Sequence, residues 1–190
     1  MLTNGTIKKR LAMVDLDGTL IDTLEANYYA YKLALNEQGI EITREQYKRY
    51  CDGYSYKKFL PQIMGRDCNI EMLHNRKTEL YTSCLQYAHV NKHLVTILRA
   101  IKNEYYIALV TTASKKNVQN IIEFFMLGDL FDIIVTQEDM TRCKPEPDCY
   151  VHTRLKFNVT IENTIIFEDS EAGMRAAIGS GCDVYRLMKN

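Results

Sequence analysis

The segment Leu-Ala-Met-Val-Asp-Leu-Asp-Gly-Thr-Leu at residues 11–20 joins a short apolar run to a cluster of acidic and turn-forming residues. Leu11–Val14 is apolar at every position, which is typical of a strand buried on both faces of a parallel sheet. Gly18 permits a sharp turn soon after the strand. Because alternate residues of an emerging strand point the same way, Asp15 and Asp17 can both reach one bound group. The segment therefore predicts a strand that ends at a chemical site.

Four later runs share this pattern of a short apolar stretch ending in a polar cluster: Ile107–Val110, Ile133–Val135, Ile165–Phe167 and the weaker Asp183–Leu187. Between them lie stretches with helical spacing of apolar residues, at Asn117–Phe125, Asp148–Leu155 and Ser170–Ile178. Strands that alternate with helices in this way are typical of an α/β fold with a doubly wound, Rossmann-like parallel sheet. We predict that fold class for the larger part of the chain.

The interval from residue 23 to residue 92 lacks a convincing strand pattern but contains several helical ones. Two capping boxes indicate helix starts, one formed by Asp22 with Glu25 and the other by Thr43 with Gln46. An insert of roughly seventy residues is too long for a simple crossover between strands. We predict a core domain of residues 1–22 and 93–190, with a small α-helical cap domain inserted at residues 23–92.

Acidic residues follow two of the predicted strands. Asp15 and Asp17 come after the first strand, and Glu168 and Asp169 come after Ile165–Phe167. In doubly wound sheets, ligands bind in the crevice at the carboxyl ends of the strands. Four carboxylates gathered there would repel one another unless a cation lies between them. Oxygen ligands with room left for water suit Mg²⁺ better than zinc or copper, so the sequence predicts a magnesium site.

A basic residue, Lys144, lies in the loop Lys-Pro-Glu-Pro-Asp at residues 144–148. It brings a second positive charge, which can hold either Asp15 or a substrate phosphate. With this arrangement one of the two aspartates, Asp15 or Asp17, can attack phosphorus, while the other protonates the leaving oxygen and later activates water. A covalent aspartyl-phosphate would divide one difficult reaction into two easier steps.

These residues resemble the haloacid dehalogenase superfamily, and within it the phosphatases that carry a helical cap after the first strand. The resemblance extends from about Leu11 to Leu187. The segment Asp-Leu-Asp-Gly-Thr-Leu at residues 15–20 is similar to the first motif of the family. This similarity implies that Asp15 is the nucleophile and Asp17 the general acid and base. It also implies metal ligation by Asp15 and by the backbone carbonyl of Asp17.

Three further motifs follow in the order that the family has. Thr111 matches the second motif, a hydroxyl that binds the transferring phosphoryl group, and we include the neighbouring Thr112 as a substrate-binding candidate. Lys144 matches the third motif. Glu168 and Asp169 match the fourth, which implies further metal ligation. A role for Glu168 as a simple acidic residue at a helix entry stays open, with Asp169 then ligating alone.

Details of the motifs narrow the chemistry that the resemblance implies. Glu-Asp-Ser-Glu-Ala-Gly at residues 168–173 and the alanine-rich helix after it resemble the branch of phosphoglycolate phosphatase and β-phosphoglucomutase. Asp17 favours phosphate esters, because the dehalogenases and phosphonate-cleaving members lack this aspartate. Asn27 stands where β-phosphoglucomutases carry a histidine, which weakens a mutase assignment. Tyr54, Lys57 and Lys58 follow Gly53 at a place where this branch often has cap residues that contact substrate, and a solvated helix face is an equal alternative for the two lysines.

Composition limits the classes of partner. Lys and Arg number 24, as do Asp and Glu, so the net charge is zero and nothing indicates nucleic acid or an anionic membrane as a partner. The six cysteines are too dispersed for a zinc or dithiol site and predict reduced thiols. The apolar run after Lys8–Arg10 is too short for a signal peptide or a membrane span. We expect a cytoplasmic monomer.

The sequence thus predicts a Mg²⁺-dependent phosphatase that hydrolyses a small phosphorylated metabolite. One alternative is a sugar-phosphate mutase similar to β-phosphoglucomutase, which differs only in what accepts the phosphoryl group. A second alternative is a non-catalytic binding module on the same fold. The sequence does not identify the ester, because the cap surface selects it.

Overall fold

The computed structural model describes residues 8–51, 56–65 and 68–188. These residues divide into two compact units. The first unit contains the described residues up to Asp22 and those from Val90 onward, and the second is Thr23–His89. The sequence pattern places the second boundary after Lys92, but Lys92 begins a helix of the first unit, so the observed boundary lies three residues earlier.

The strands and helices are as follows, in chain order. The strands are β1 Arg10–Val14, β2 Ile21–Asp22, β3 His89–Val90, β4 Tyr105–Val110, β5 Ile133–Val135, β6 Thr164–Glu168 and β7 Asp183–Arg186. The helices are α1 Leu24–Asn36, α2 Arg44–Tyr50, α3 Tyr56–Met64, α4 Ile70–Cys84, α5 Lys92–Ile101, α6 Lys115–Phe124, α7 Asp148–Lys156 and α8 Glu171–Gly179. Among the described residues, no helix is both long and apolar enough to cross a membrane.

The first unit is built on a five-stranded parallel sheet in the order β5-β4-β1-β6-β7. This confirms the predicted doubly wound α/β fold. In the register of the sheet, Val14 at the end of β1 lies beside Leu109 of β4 and Phe167 of β6. The residues that follow β1, β4 and β6 therefore emerge at one edge of the sheet. The chain order reverses direction at β1, which is where such sheets bind ligands.

The central strand β1 is apolar and buried from Leu11 to Val14, and Arg10 at its start is exposed. Leu11 and Met13 pack in one cluster with Val110, Ile166 and Tyr150, all of them buried. Burying apolar side chains of this size contributes about 1.5–3 kcal/mol each before the loss of conformational entropy is counted. The packed strand thereby holds the carboxyl end of β1 in a fixed position.

The second unit is helical, and its core contains mainly aromatic and aliphatic side chains of α1, α3 and α4. The capping box of Thr43 and Gln46 at the start of α2 is confirmed, with Gln46 N–H donating to Thr43 Oγ1 at 3.1 Å. The box predicted at Asp22 is wrong, because Asp22 ends the extended strand β2 and α1 begins only after Thr23.

One titratable side chain of the second unit, His74 of α4, is stacked and half-buried. The ring of Tyr56 lies 3.7 Å from the imidazole ring, centroid to centroid, and the Tyr31 hydroxyl lies 3.1 Å from His74 Nδ1. Burial lowers the pKa of His74 below its ordinary value of 6.5, and the positive charge of Lys77 lowers it further, against an opposing effect of Glu71. The neutral imidazole is therefore the form that the fold prefers.

We expect this preference to make stability depend on pH. Because the pKa of His74 is lower when folded than when unfolded, the unfolded chain binds the extra proton first. The contribution of His74 is then complete above pH 6.5, its ordinary pKa, and declines as the pH falls below that value. Urea midpoints measured across this range should fall less steeply with acid in His74→Gln than in wild type. His93→Gln, at an exposed position of α5, is the matched control, and identical profiles for wild type and His74→Gln would contradict the expectation.

Candidate active site

Three charged side chains meet at the carboxyl edge of β1 and β6. Lys144 Nζ lies 2.6 Å from Asp15 Oδ1 and 2.7 Å from Glu168 Oε1, and it also donates to the carbonyl of Val110 at 3.1 Å. The exposed fractions of these side chains are 4% for Lys144, 10% for Asp15 and 0% for Glu168. Buried ion pairs of this kind are costly to desolvate and are stable only when further hydrogen bonds satisfy them.

The carboxylate of Glu168 receives those further bonds on both oxygens. Oε1 accepts from the Tyr150 hydroxyl at 3.3 Å in addition to Lys144. Oε2 accepts from the backbone N–H groups of Asp169 and Ser170, at 2.8 and 2.9 Å, and from the Ser170 hydroxyl at 3.2 Å. Burial raises the pKa of Tyr150 well above its ordinary value, so its hydroxyl stays protonated and remains a donor.

A third carboxylate, Asp169, lies beside these two. One oxygen each of Asp15, Glu168 and Asp169 lie within 4.8 Å of one another, and all three residues are buried. The Thr19 hydroxyl donates to Asp169 Oδ1 at 2.8 Å, which fixes the orientation of Asp169. A group of hard oxygen donors at this spacing suits a small divalent cation such as Mg²⁺.

Among the residues that the structure describes, the charges of this group do not balance. Burial raises the pKa of Asp15 to about 7; Lys144 opposes this rise, and the negative charges of Glu168 and Asp17 add to it. Burial disfavours the charged form of Lys144, but attraction to Asp15, with Tyr150 and Glu168 adding to it, raises its pKa above the ordinary value. Lys144 is therefore charged, and three carboxylates share one ammonium group. Such an excess of negative charge favours a bound cation.

The turn after β1 carries Asp17. Gly18 has a positive φ of 87°, and its N–H donates to the carbonyl of Ile21 at 2.7 Å, which closes the turn. Asp17 is half-buried, and the group of three carboxylates does not include it. Of the four carboxylates expected to converge, the structure thus brings together three. The roles of Asp17 as general acid and as backbone ligand stay predictions.

The remaining predicted positions lie as follows. Thr111 directly follows β4 and is buried; its Oγ1 accepts from the backbone N–H of Ala113 at 3.1 Å, so the hydroxyl can still donate its own proton. Thr112 is exposed. Lys57 belongs to α3 of the second unit, where it is exposed and lies 3.8 Å from Glu71. Tyr54 lies outside the described residues. The functional roles of these side chains stay predictions.

Two contributors to the site were not found from the sequence. Thr19 lies in the turn after β1, and its hydroxyl donates to Asp169, 150 residues away in the chain. Tyr150 was expected only as part of a helix, and its hydroxyl reaches Glu168. The available signal was the position of Tyr150, which lies on the first turn of the helix that follows the Lys144 loop.

Comparison with known proteins agrees with the predicted family and fold. The family model described as haloacid dehalogenase-like hydrolase matches residues 12–187. A phosphorylated carbohydrates phosphatase of Thermotoga maritima is 24% identical over 177 residues, 89% of this chain and 80% of that protein. A beta-phosphoglucomutase of Bacillus subtilis is 26% identical over 183 residues, 90% of this chain and 80% of that protein. The crystal structure of CbbY from Rhodobacter sphaeroides with phosphate has a TM-score of 0.80 at 23% identity, covering 95% of this chain and 87% of that one.

Proposed function

Since the chain belongs to the haloacid dehalogenase-like hydrolases, we propose that it is a Mg²⁺-dependent phosphatase that hydrolyses a small phosphate monoester through an aspartyl-phosphate. The observation that carries the proposal is the buried contact of Lys144 with Asp15 and Glu168, next to Asp169. A buried carboxylate held by an ammonium group, at the edge where parallel sheets bind ligands, is suited to attack an anionic substrate.

The acidic group fits the proposed cation. Asp15 and Asp169 would hold Mg²⁺ together with the backbone carbonyl of Asp17, and Glu168 remains a further candidate ligand. When bound, Mg²⁺ would supply positive charge to the oxygens of the transferring phosphoryl group. The support for this assignment is the excess of carboxylates over ammonium groups at the site.

The side chains of this protein would perform the following steps. Asp15 attacks phosphorus and the bond to the ester oxygen breaks, while Asp17 gives a proton to the leaving alcohol. Asp17 then takes a proton from the water that attacks the aspartyl-phosphate, which releases inorganic phosphate and restores Asp15. Lys144 and Thr111 bind the phosphoryl oxygens during both steps. Substrate contacts from the helical unit, including Lys57, would select the ester.

The proposed substrate class is a small phosphorylated metabolite. Two named relatives, a phosphatase of phosphorylated carbohydrates and a beta-phosphoglucomutase, support a compact substrate of that kind. The zero net charge supports a protein that works without nucleic acid or membrane surfaces. All six cysteines are free thiols, which suits the cytoplasm. We retain the expectation of a monomer.

A sugar-phosphate mutase is the second candidate, favoured by the Bacillus subtilis relative. Against it stands Asn27, whose amide has no titratable proton. Its Oδ1 accepts from Lys77 at 2.7 Å and its Nδ2 donates to the carbonyl of Thr23 at 3.1 Å. A non-catalytic binding module is disfavoured, because Asp15 and Lys144 are both present and in contact.

The test is phosphate release from a panel of sugar phosphates, phospho-acids, nucleotides and p-nitrophenyl phosphate. We expect release in the presence of Mg²⁺, loss on treatment with EDTA and recovery when Mg²⁺ is restored. Asp15→Asn serves to measure contaminating phosphatase. If wild type and Asp15→Asn are equally inactive on the whole panel with Mg²⁺, the proposed function is wrong. Conversion of a sugar 1-phosphate to its 6-phosphate, with a sugar bisphosphate as primer, would instead establish the mutase.

A further inference from the structure

Both carboxylate oxygens of Glu168 accept hydrogen bonds from protein donors, so the carboxylate is fixed without a metal ion. Five donors contact its two oxygens: Lys144 Nζ, the Tyr150 hydroxyl, the N–H groups of Asp169 and Ser170, and the Ser170 hydroxyl. Its side chain has no exposed surface. A carboxylate fixed in this way is a rigid anion that can hold the ammonium group of Lys144 in one position.

The place that this carboxylate occupies exists because residue 173 has no side chain. A Cβ built on Gly173 would overlap both carboxyl oxygens and the carboxyl carbon of Glu168. Gly173 lies in the first turn of α8, its N–H donates to Ser170 Oγ, and its φ is not in the left-handed region. The backbone would therefore accept alanine, which is the better helix former. The three heavy atoms nearest to a Cβ at this position all belong to the Glu168 carboxyl group.

We propose that Gly173 is a positioning residue of the active site, which admits the Glu168 carboxylate to the first turn of α8 so that this carboxylate holds Lys144 against Asp15. The proposal rests on the phosphatase function proposed above. It assigns Glu168 to the lysine, and it leaves Asp15 and Asp169 as the carboxylate ligands of the cation. Gly173 touches no reacting atom and acts only through Glu168.

The first experiment compares Gly173→Ala with Gly179→Ala, a substitution in the same helix. A Cβ at Gly179 would meet Pro147 Cβ at 3.4 Å, an ordinary contact. With p-nitrophenyl phosphate and Mg²⁺, well below Tm, we expect Gly173→Ala to lower kcat about 100-fold, because Lys144 and Asp15 lose their alignment. KM should stay within about 3-fold of wild type. Gly179→Ala should retain wild-type kcat and KM.

The second experiment is a double-mutant cycle in Tm. We expect Gly173→Ala to lower Tm by on the order of 5–10 °C in wild type, through the clash with Glu168. In the Glu168→Ala background the same substitution should leave Tm unchanged or raise it. Glu168→Asp, whose shorter side chain withdraws the carboxylate, is the second background and should reduce the loss.

The outcomes separate this proposal from the function on which it rests. Wild-type kcat in Gly173→Ala would overturn the positioning role, as would an equal loss of Tm in all three backgrounds. A loss of Tm without loss of kcat would show a purely structural glycine and would also overturn it. If wild-type protein releases no phosphate from any ester, the proposed function fails, whereas the Tm cycle still measures the coupling of Gly173 to Glu168.

Discussion

Replacing Asp15 with asparagine is expected to abolish phosphatase activity and to leave the fold intact. The amide cannot form an acyl phosphate, so we expect kcat to fall by on the order of 10⁴-fold or more. Stability should not fall with it. Asp15 is one of three buried carboxylates around one ammonium group, and a neutral side chain there relieves repulsion while Lys144 keeps its 2.7 Å contact with Glu168.

Two measurements check this prediction. Rapid acid quench with a labelled ester should trap phosphate on wild-type protein and none on Asp15→Asn. In the absence of added Mg²⁺, the Tm of the variant should equal or exceed that of wild type. Labelled Asp15→Asn protein would show that another residue is the nucleophile, and a large fall in Tm would show that the charge of Asp15 stabilises the fold.

Replacing Lys144 with methionine is expected to remove both activity and stability. The ammonium group neutralises two buried carboxylates, at 2.6 and 2.7 Å. Removing one partner of a buried ion pair costs about 3–5 kcal/mol, because a charge is left buried and uncompensated. For a chain of this size that corresponds to a fall in Tm of roughly 6–20 °C. Loss of a charge beside the phosphoryl group should also lower kcat by about 100-fold or more.

The response to Mg²⁺ distinguishes this explanation from a simple packing defect. A cation bound by Asp15 and Asp169 would replace part of the lost positive charge, so Mg²⁺ should raise the Tm of Lys144→Met more than that of wild type. Lys116→Met, at an exposed position of α6, should match wild type in Tm and kcat. Equal stabilisation of wild type and Lys144→Met by Mg²⁺ would argue against a shared site for the lysine and the metal.

Features that depend on a short segment were predictable from the sequence. The apolar run before Asp15 predicts a strand buried on both faces, and in the observed β1 every residue from Leu11 to Val14 is buried. Ser114 is of a residue type that favours the N-cap of a helix, and its side chain accepts from Asn117 N–H at the start of α6. In both cases the residues that determine the local structure lie within about four positions of it in the sequence.

Features that depend on packing between distant segments were not predictable. The full set of hydrogen bonds to the Glu168 carboxylate forms only where β6, α7 and the first turn of α8 meet. No pattern in the sequence indicates that the Tyr150 hydroxyl donates to this carboxylate. Thr19 illustrates the same limit, since a local partner in its turn was as reasonable as Asp169. The capping box at Asp22 failed because strand pairing, a long-range effect, took precedence over local propensity.

The order of strands in the sheet constrains how the polypeptide can fold as it leaves the ribosome. β1 is made first but pairs with β4, from Tyr105 onward, and with β6, from Thr164 onward. The helical unit at Thr23–His89 has contacts close in sequence and can form while β1 still lacks both neighbours. Nascent chains that end before Tyr105 therefore contain an apolar strand without either partner strand, and a chaperone that binds extended apolar segments would recognise it.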